Sequence, residues 1–411
     1  MESHDDNQPL RVEPFPYHAA IRDYLKSEES AVWDWYSSHR IRQEQAEAIR
    51  FDLLKSTYRI DRASQAHLYA EVDEVAGALG LDVPTTLYQA QNPEGPNAAI
   101  AYLPSEAHIV LYGAVASKLT PVEFRGLLAH ELGHLLFYEI DEGEFLIAEQ
   151  VLAAMTHDRD AAPAHAASAR RYGLYKELYC DRVALEVAGS AWDLISMMIK
   201  IAADIDEVDP QSFARQAAEV LGRGPVPTEG LTHPEAFIRA RALELWDTEP
   251  EVADASIAEM IEGVDALDTL DLMGQRRVMT MTRHLLDSML SPPWLQTDVT
   301  LAHARLFFDD YQPPAESSAS AIAKVNLARA DAALRDYFAY VLLDFATADR
   351  ELEEAPLAHA LGVADTLGFE ERFRELAAKE MRLRKKQVEK IAAERKTIAA
   401  QVEKDASDSD Q

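Results

Sequence analysis

The hydrophobic and polar positions of this chain are patterned mainly as helix, in stretches rich in Ala, Leu and Glu. An early helical segment is marked by Trp33, Trp35 and Tyr36, large aromatics expected to pack rather than to bind. Gly80 and Pro84 punctuate a helix ahead of a short segment around Thr86 to Gln89, and His108 to Tyr112 (HIVLY) reads as a strand. Thr120, Pro121 and Glu123 then start a helix, with Thr as N-cap, Pro at the first helical position and Glu closing a capping box. That helix should run through GLLAHELGHLLF. Helix dominates to about residue 311, where Tyr311, Gln312, Pro313 and Pro314 run into Glu316, Ser317, Ser318, Ala319 and Ser320 as a linker or exposed turn. A second helical stretch follows and continues as a solvated, charged helix containing Arg382, Arg384, Lys385, Lys386 and Lys390. The final KDASDSDQ is expected to be disordered. No internal repeat stands out.

These patterns divide the chain into an N-terminal helical extension (1–64), an α+β unit (65–250), a helical connector (251–320), a helical module (321–380) and a charged helix with its tail (381–411). The fold class is therefore α+β, mostly helical, with a small sheet in the first large unit and an all-α C-terminal domain. A length of 411 residues fits two or three folded units.

Charge narrows the possible partners. With 71 acidic against 40 basic residues and a net charge of −31, the surface repels nucleic acid and anionic membrane. A lone cysteine, Cys180, cannot form an internal disulfide, and no run approaches the length of a membrane span. The start of the chain shows no secretory pattern, so the expectation is a soluble, cytoplasmic protein without a membrane span.

The chemistry lies in HELGH. His130 and His134 are four residues apart and project from one helical face, close enough for both imidazoles to ligate one ion. Glu131 lies beside them, where its carboxylate reaches a metal-bound water rather than the metal. A catalytic zinc uses three protein ligands and lowers the pKa of water from 15.7 to about 7. The alternative, two unrelated histidines that happen to match the pattern, stays open on the motif alone. A third ligand is required. The metzincin arrangement is excluded, because Ile140 stands where its third His would be and Phe137 where its Gly would be. In KELYCDRVAL, Glu177 and Asp181 are again four apart, so Glu177 can complete the set and Asp181 can orient an imidazole. Taken alone, such a pair is more often a solvated acidic face.

With these residues the sequence resembles the zinc peptidase family of the CAAX prenyl endopeptidases and HtpX, a gluzincin family. The resemblance runs from about Ala70 to Leu245 through NAAIAYLPSEAHIVLYG, TPVEFRGLLAHELGH, ELYCDRVAL and THPEAFIRARAL. It implies a zincin-like domain holding one zinc ion on His130, His134 and Glu177, with Asp181 behind them and Glu131 as general base. It further implies that His233 and Arg239 approach the substrate and the oxyanion, roles that spacing does not reveal. Extended peptide is expected to add along an edge strand at His108 to Tyr112, with Asn97, His108 and Val110 as substrate-binding positions. Those relatives are membrane-embedded, whereas the segment between Tyr138 and Arg171 contains DEGE and HDRD, so the substrate expected here is in solution. Cys180 is expected to pack. His108, His157, His165, His284 and His359 have no ligand-spaced partners, and the segment holding His157 and His165 has a mobile lid as its alternative reading.

The stretch from Tyr337 to Phe369 faintly resembles the TerB-like helical module, with Asp349, Glu351 and Glu354 in its acidic turn. The resemblance implies ion sensing or a protein partner, although helix capping explains the acids equally well. The sequence as a whole predicts a zinc-dependent endopeptidase acting on soluble or unfolded proteins. A zinc-stabilised adaptor is the main rival and hydrolysis of a non-peptide amide a third reading.

Overall fold

A computed structural model describes residues 12–91, 95–103, 106–157, 161–224, 228, 230, 232–313 and 318–409. The chain forms two compact units, Met1–Gly263 and Val264–Gln411.

The first unit combines helices with one four-stranded sheet. Its strands are β1 (Thr57–Arg59), β2 (Thr85–Ala90), β3 (Asn97–Leu103) and β4 (Glu106–Tyr112), in the order β1-β2-β4-β3. β2 runs parallel to β4, and the β1–β2 and β3–β4 pairs are antiparallel. The HIVLY run therefore lies in a central strand, not at an edge, which corrects the expectation for His108 and Val110. A run that is apolar on successive residues suits a strand covered on both faces, and Ala107 to Leu111 are all buried. The edges are β1 and β3, and β3 is the one beside the helix that carries HELGH.

The HELGH motif lies on the helix Pro121–Glu139, and its N-terminus carries the expected capping box: Thr120 Oγ1 accepts from Glu123 N at 3.3 Å, and Glu123 Oε2 accepts from Thr120 N at 2.9 Å. Glu177 lies on the long helix Pro163–Ala188, which packs against the motif helix more extensively than any other pair of elements in the unit. Gly133, between Leu132 and His134, makes that approach possible: a Cβ there would meet Cys180 Cα at 3.2 Å and Val183 Cβ at 3.4 Å. Cys180 is buried at this crossing and serves packing, as expected. On another side Gly126 admits the helix Ala191–Ala203, because a Cβ at 126 would lie 2.4 Å from Leu194 Cδ2.

The N-terminal helix Pro16–Glu28 is part of the same unit, with His18 buried among Phe137, Phe145, Tyr172 and Tyr175. Trp33 is buried, but Trp35 is 54% exposed on the solvent side of its short helix, so the aromatic trio packs only in part.

The second unit is helical, and one apolar core joins its parts. Leu285, Leu286 and Met289 pack with Phe338, Leu342, Leu361, Phe373 and Val388. The expected connector, module and charged helix thus contribute to a single core. The acidic turn is used structurally, since Asp349 accepts from Glu351 N at 3.0 Å and from Thr297 Oγ1 at 2.8 Å. The last helix, Lys385–Ser409, extends over most of the segment predicted to be disordered, because Lys, Glu and Ala upstream are strong helix formers. Of the predicted linker, residues 314–317 lie outside the described residues.

Candidate metal centre

Three donors converge where the motif helix crosses the Glu177 helix. Ligand atoms of His130, His134 and Glu177 lie within 4.8 Å of one another, and among the described residues no other group of three or more His, Cys, Asp or Glu does so. The two imidazoles stand nearly perpendicular, with centroids 5.2 Å apart. Glu177 Oε2 is 3.3 Å from His130 Nε2, and Oε1 is 3.7 Å from His134 Nε2. Oε2 is nevertheless buried without an aligned hydrogen-bond donor. An orphaned carboxylate oxygen facing two imidazole nitrogens suits a divalent cation, and a set of two nitrogens and one oxygen suits zinc.

Asp181, one turn after Glu177, stands behind this trio. Its Oδ1 accepts the His130 Nδ1 proton at 3.0 Å, which orients the ring so that Nε2 faces Glu177 and could serve as the ligand atom for a cation. Arg239 holds Asp181 in turn through Nε and Nη2 at 2.7 and 2.6 Å. Burial alone would raise the Asp181 carboxyl, but the Arg239 charge and hydrogen bonds keep it below the ordinary range. Two of the Arg239 donors are therefore committed away from the cleft, although the side chain lines its wall.

Glu131 is buried beside the trio, and burial pushes its carboxyl up to about 7. Its backbone partner is Ile100 of β3. A carboxylate accepts only from N–H, so it is the Ile100 N–H that points at Glu131. His134 is held neutral, its pKa lowered to about 3 chiefly by burial. Burial opposes the ionised form of Glu177, yet the facing imidazoles outweigh it and draw its carboxyl well below the ordinary range.

His233 reaches the trio from a separate segment. Its Nε2 is 3.2 Å from Glu177 Oε2, and its side chain is 56% exposed. Arg170 pins that segment by donating to Gly230 O at 2.8 Å and Thr228 O at 2.5 Å, while Glu235 accepts from Thr228 Oγ1 at 2.7 Å and Gly230 N at 2.9 Å. A Cβ on Gly230 would lie 2.0 Å from His233 O.

A cleft of about 530 Å³ joins these groups, lined by Asn97 to Ile100 of β3, by the motif helix and by His233. Asn97 therefore lines the cleft. His108 and Val110 do not: His108 bonds to Tyr88 and Glu106, and Val110 packs against Leu53 and Tyr88. At one end of the cleft lie Tyr138 and Lys176, with Lys176 Nζ 2.7 Å from Glu149 Oε1 and 2.8 Å from the Tyr138 hydroxyl. No motif or spacing in the sequence singles out Lys176, Arg170 or Gly126. HELGH itself held a signal for Gly133, a glycine inside a helix that would otherwise favour Ala. His157 ends the helix Glu144–His157 and His165 lies in the first turn of the helix that starts at Pro163; residues 158–160 lie outside the described residues. No helix of the described residues is long and apolar enough to cross a membrane.

The Arabidopsis thaliana protein named Plastoglobule-localized metallopeptidase 48, chloroplastic, is 28% identical over 206 residues, covering 46% of this chain and 58% of that protein. The chain thus spans little more than half the length of that relative. No solved structure matches. Residues 62–247, the segment that carries the whole cluster, match Peptidase family M48.

Proposed function

We propose that the chain is a zinc-dependent endopeptidase that hydrolyses peptide bonds of soluble or unfolded proteins. The observation that carries this reading is the convergence of His130, His134 and Glu177 with a buried, orphaned Glu177 oxygen, inside a segment matching a metallopeptidase family. His130, His134 and Glu177 would hold one zinc ion. When bound, zinc supplies a Lewis acid that polarises a carbonyl oxygen and acidifies water.

The remaining steps fall to the chain's own groups. Glu131 takes a proton from water as the water oxygen bonds to the scissile carbonyl carbon. It then returns a proton to the amine nitrogen as the carbon–nitrogen bond breaks. His233 reaches over the cluster and donates to the developing oxyanion. Asp181 fixes the His130 ring, and Arg239 acts as a positioning residue through Asp181. The peptide extends along the open edge of β3, beside Asn97, whose neighbours Ala98 and Ala99 keep the backbone accessible. The compartment belongs to the proposal too: one buried, unpaired cysteine fits a reducing cytoplasm. So does a partner role for the C-terminal helices.

The test compares protein fragments in cells carrying the wild type or Glu131→Gln. Fragments that depend on Glu131 are expected. Stoichiometric zinc with no Glu131-dependent cleavage would replace the peptidase reading with that of a zinc-stabilised adaptor.

A further inference from the structure

The cleft beside the cluster has two chemically different ends. Leu127 lies three and four residues before His130 and Glu131, so it shares their face of the motif helix one turn earlier. Met197, Met198 and Ile201 come from the helix that Gly126 admits, and they close this end together with Leu127 and Ala202. None of these five side chains carries a hydrogen-bond donor, and the two thioether sulfurs are weak acceptors. The polar groups nearby on the same helix turn elsewhere: Ser196 and Lys200 both bond Glu123. The other end holds Tyr138 and Lys176, the latter matched by Glu149.

We infer that the Leu127–Met198–Ile201 end seats an uncharged apolar side chain next to the scissile bond, so that the chain cleaves beside residues such as Leu, Met or Phe. This rests on the peptidase reading and names its substrate class. The wall gives a polar side chain little to replace its lost water, and an apolar one gains by burial. Two methionines make the wall adaptable, because unbranched thioether chains repack around different shapes. The selection is therefore for apolar character rather than for one residue. Ile201 is only half-buried at the rim, so it can be changed without opening the core.

The test uses the full zinc-loaded chain and a pool of peptides randomised at every position. Immobilised Glu131→Gln captures peptides, which are sequenced, and the wild type cleaves the same pool for mapping of the cut sites. Enrichment of Leu, Met and Phe over Asp, Lys and Ser by about tenfold or more is expected at one position flanking the cut. The same enrichment should appear in the captured pool. Adding Ile201→Lys should abolish it at that position while zinc content stays unchanged. Capture or cleavage with no apolar preference, or a preference that Ile201→Lys leaves intact, overturns the inference. Cleavage without preference leaves the peptidase reading standing, whereas preferential capture without any cleavage removes that reading and keeps the pocket.

Discussion

Arg239 grips both carboxylate oxygens of Asp181, and the Asp181 oxygen that meets Arg239 Nη2 also accepts the His130 Nδ1 proton. One carboxylate thus links a fork of donors 58 residues after it to a proposed metal ligand 51 residues before it. Lys in place of Arg keeps the charge but not the fork. We expect Arg239→Lys to weaken zinc binding by about 10- to 100-fold, the usual range for a partner that orients a ligand. Competition against a fluorescent chelator measures this. Unchanged affinity would mean that Asp181 holds the ring without help.

The segment carrying His233 is tied through its backbone, and Gly230 is its tightest point. An added Cβ at 2.0 Å from His233 O meets main chain, so His233 itself has to move. We expect Gly230→Ala to lower kcat by about 10- to 100-fold, since a displacement of about 1 Å can cost that much. Zinc content should not change. Arg170→Gln, which frees the carbonyls of Thr228 and Gly230, should shift kcat in the same direction. If kcat is unaltered in both variants, His233 has no part in the reaction.

The parts of this site that were legible in the sequence are local ones. Thr120 and Glu123 cap their helix within four residues, and the spacing of His130 and His134, or of Glu177 and Asp181, follows from helical geometry alone. Strand order is not local. HIVLY reads as an edge strand because nothing near it in sequence says that β2 pairs with it in parallel across the intervening β3. Its unbroken apolar character did point to a central strand. The clamp of Arg170 on Thr228 and Gly230 joins residues about 60 positions apart, and no periodicity exposes it. Gly126 and Gly133 acquire meaning only once the helices they admit are in place. In the second unit, sequence punctuation around residue 311 suggested a boundary, yet Tyr311 is buried in the same core as Leu285 and Phe338.

Glu123 extends a local cap into a tertiary tie. Beyond Thr120 N, its carboxylate accepts from Ser196 Oγ at 2.6 Å and Lys200 Nζ at 2.9 Å, and all three side chains are buried. Removing one partner of a buried ion pair leaves an uncompensated charge, so we expect Glu123→Ala to cost about 3–5 kcal/mol. Urea denaturation of the full chain measures it. Adding Lys200→Met should restore part of that loss. A double variant no more stable than Glu123→Ala alone would show that the stranded Lys200 charge is not the main cost.

His18 makes the first unit sensitive to acid. Its ring is enclosed by Phe15, Phe137, Phe145, Tyr172 and Tyr175, with Nε2 donating to Tyr172 O at 3.2 Å. Nδ1 is buried without a partner. Burial, aided by the Lys176 charge, lowers the pKa from 6.5 to about 3, against a weaker opposing effect of the Tyr172 bond. The unfolded chain therefore binds a proton that the folded chain refuses between those values. The stability contribution is complete above about pH 6.5 and is lost as pH falls toward 3, reaching roughly 2–3 kcal/mol at pH 4.5 by linkage. Gln at position 18 can still donate to Tyr172 O but does not titrate. Carboxylates elsewhere titrate alike in both proteins, so the difference between wild type and His18→Gln isolates the ring. We expect His18→Gln to be less stable than wild type at pH 7.5, through poorer packing, and to regain roughly 2–3 kcal/mol relative to it at pH 4.5. A stability difference that does not change between the two pH values would mean that His18 takes up its proton in the folded state at its ordinary pKa.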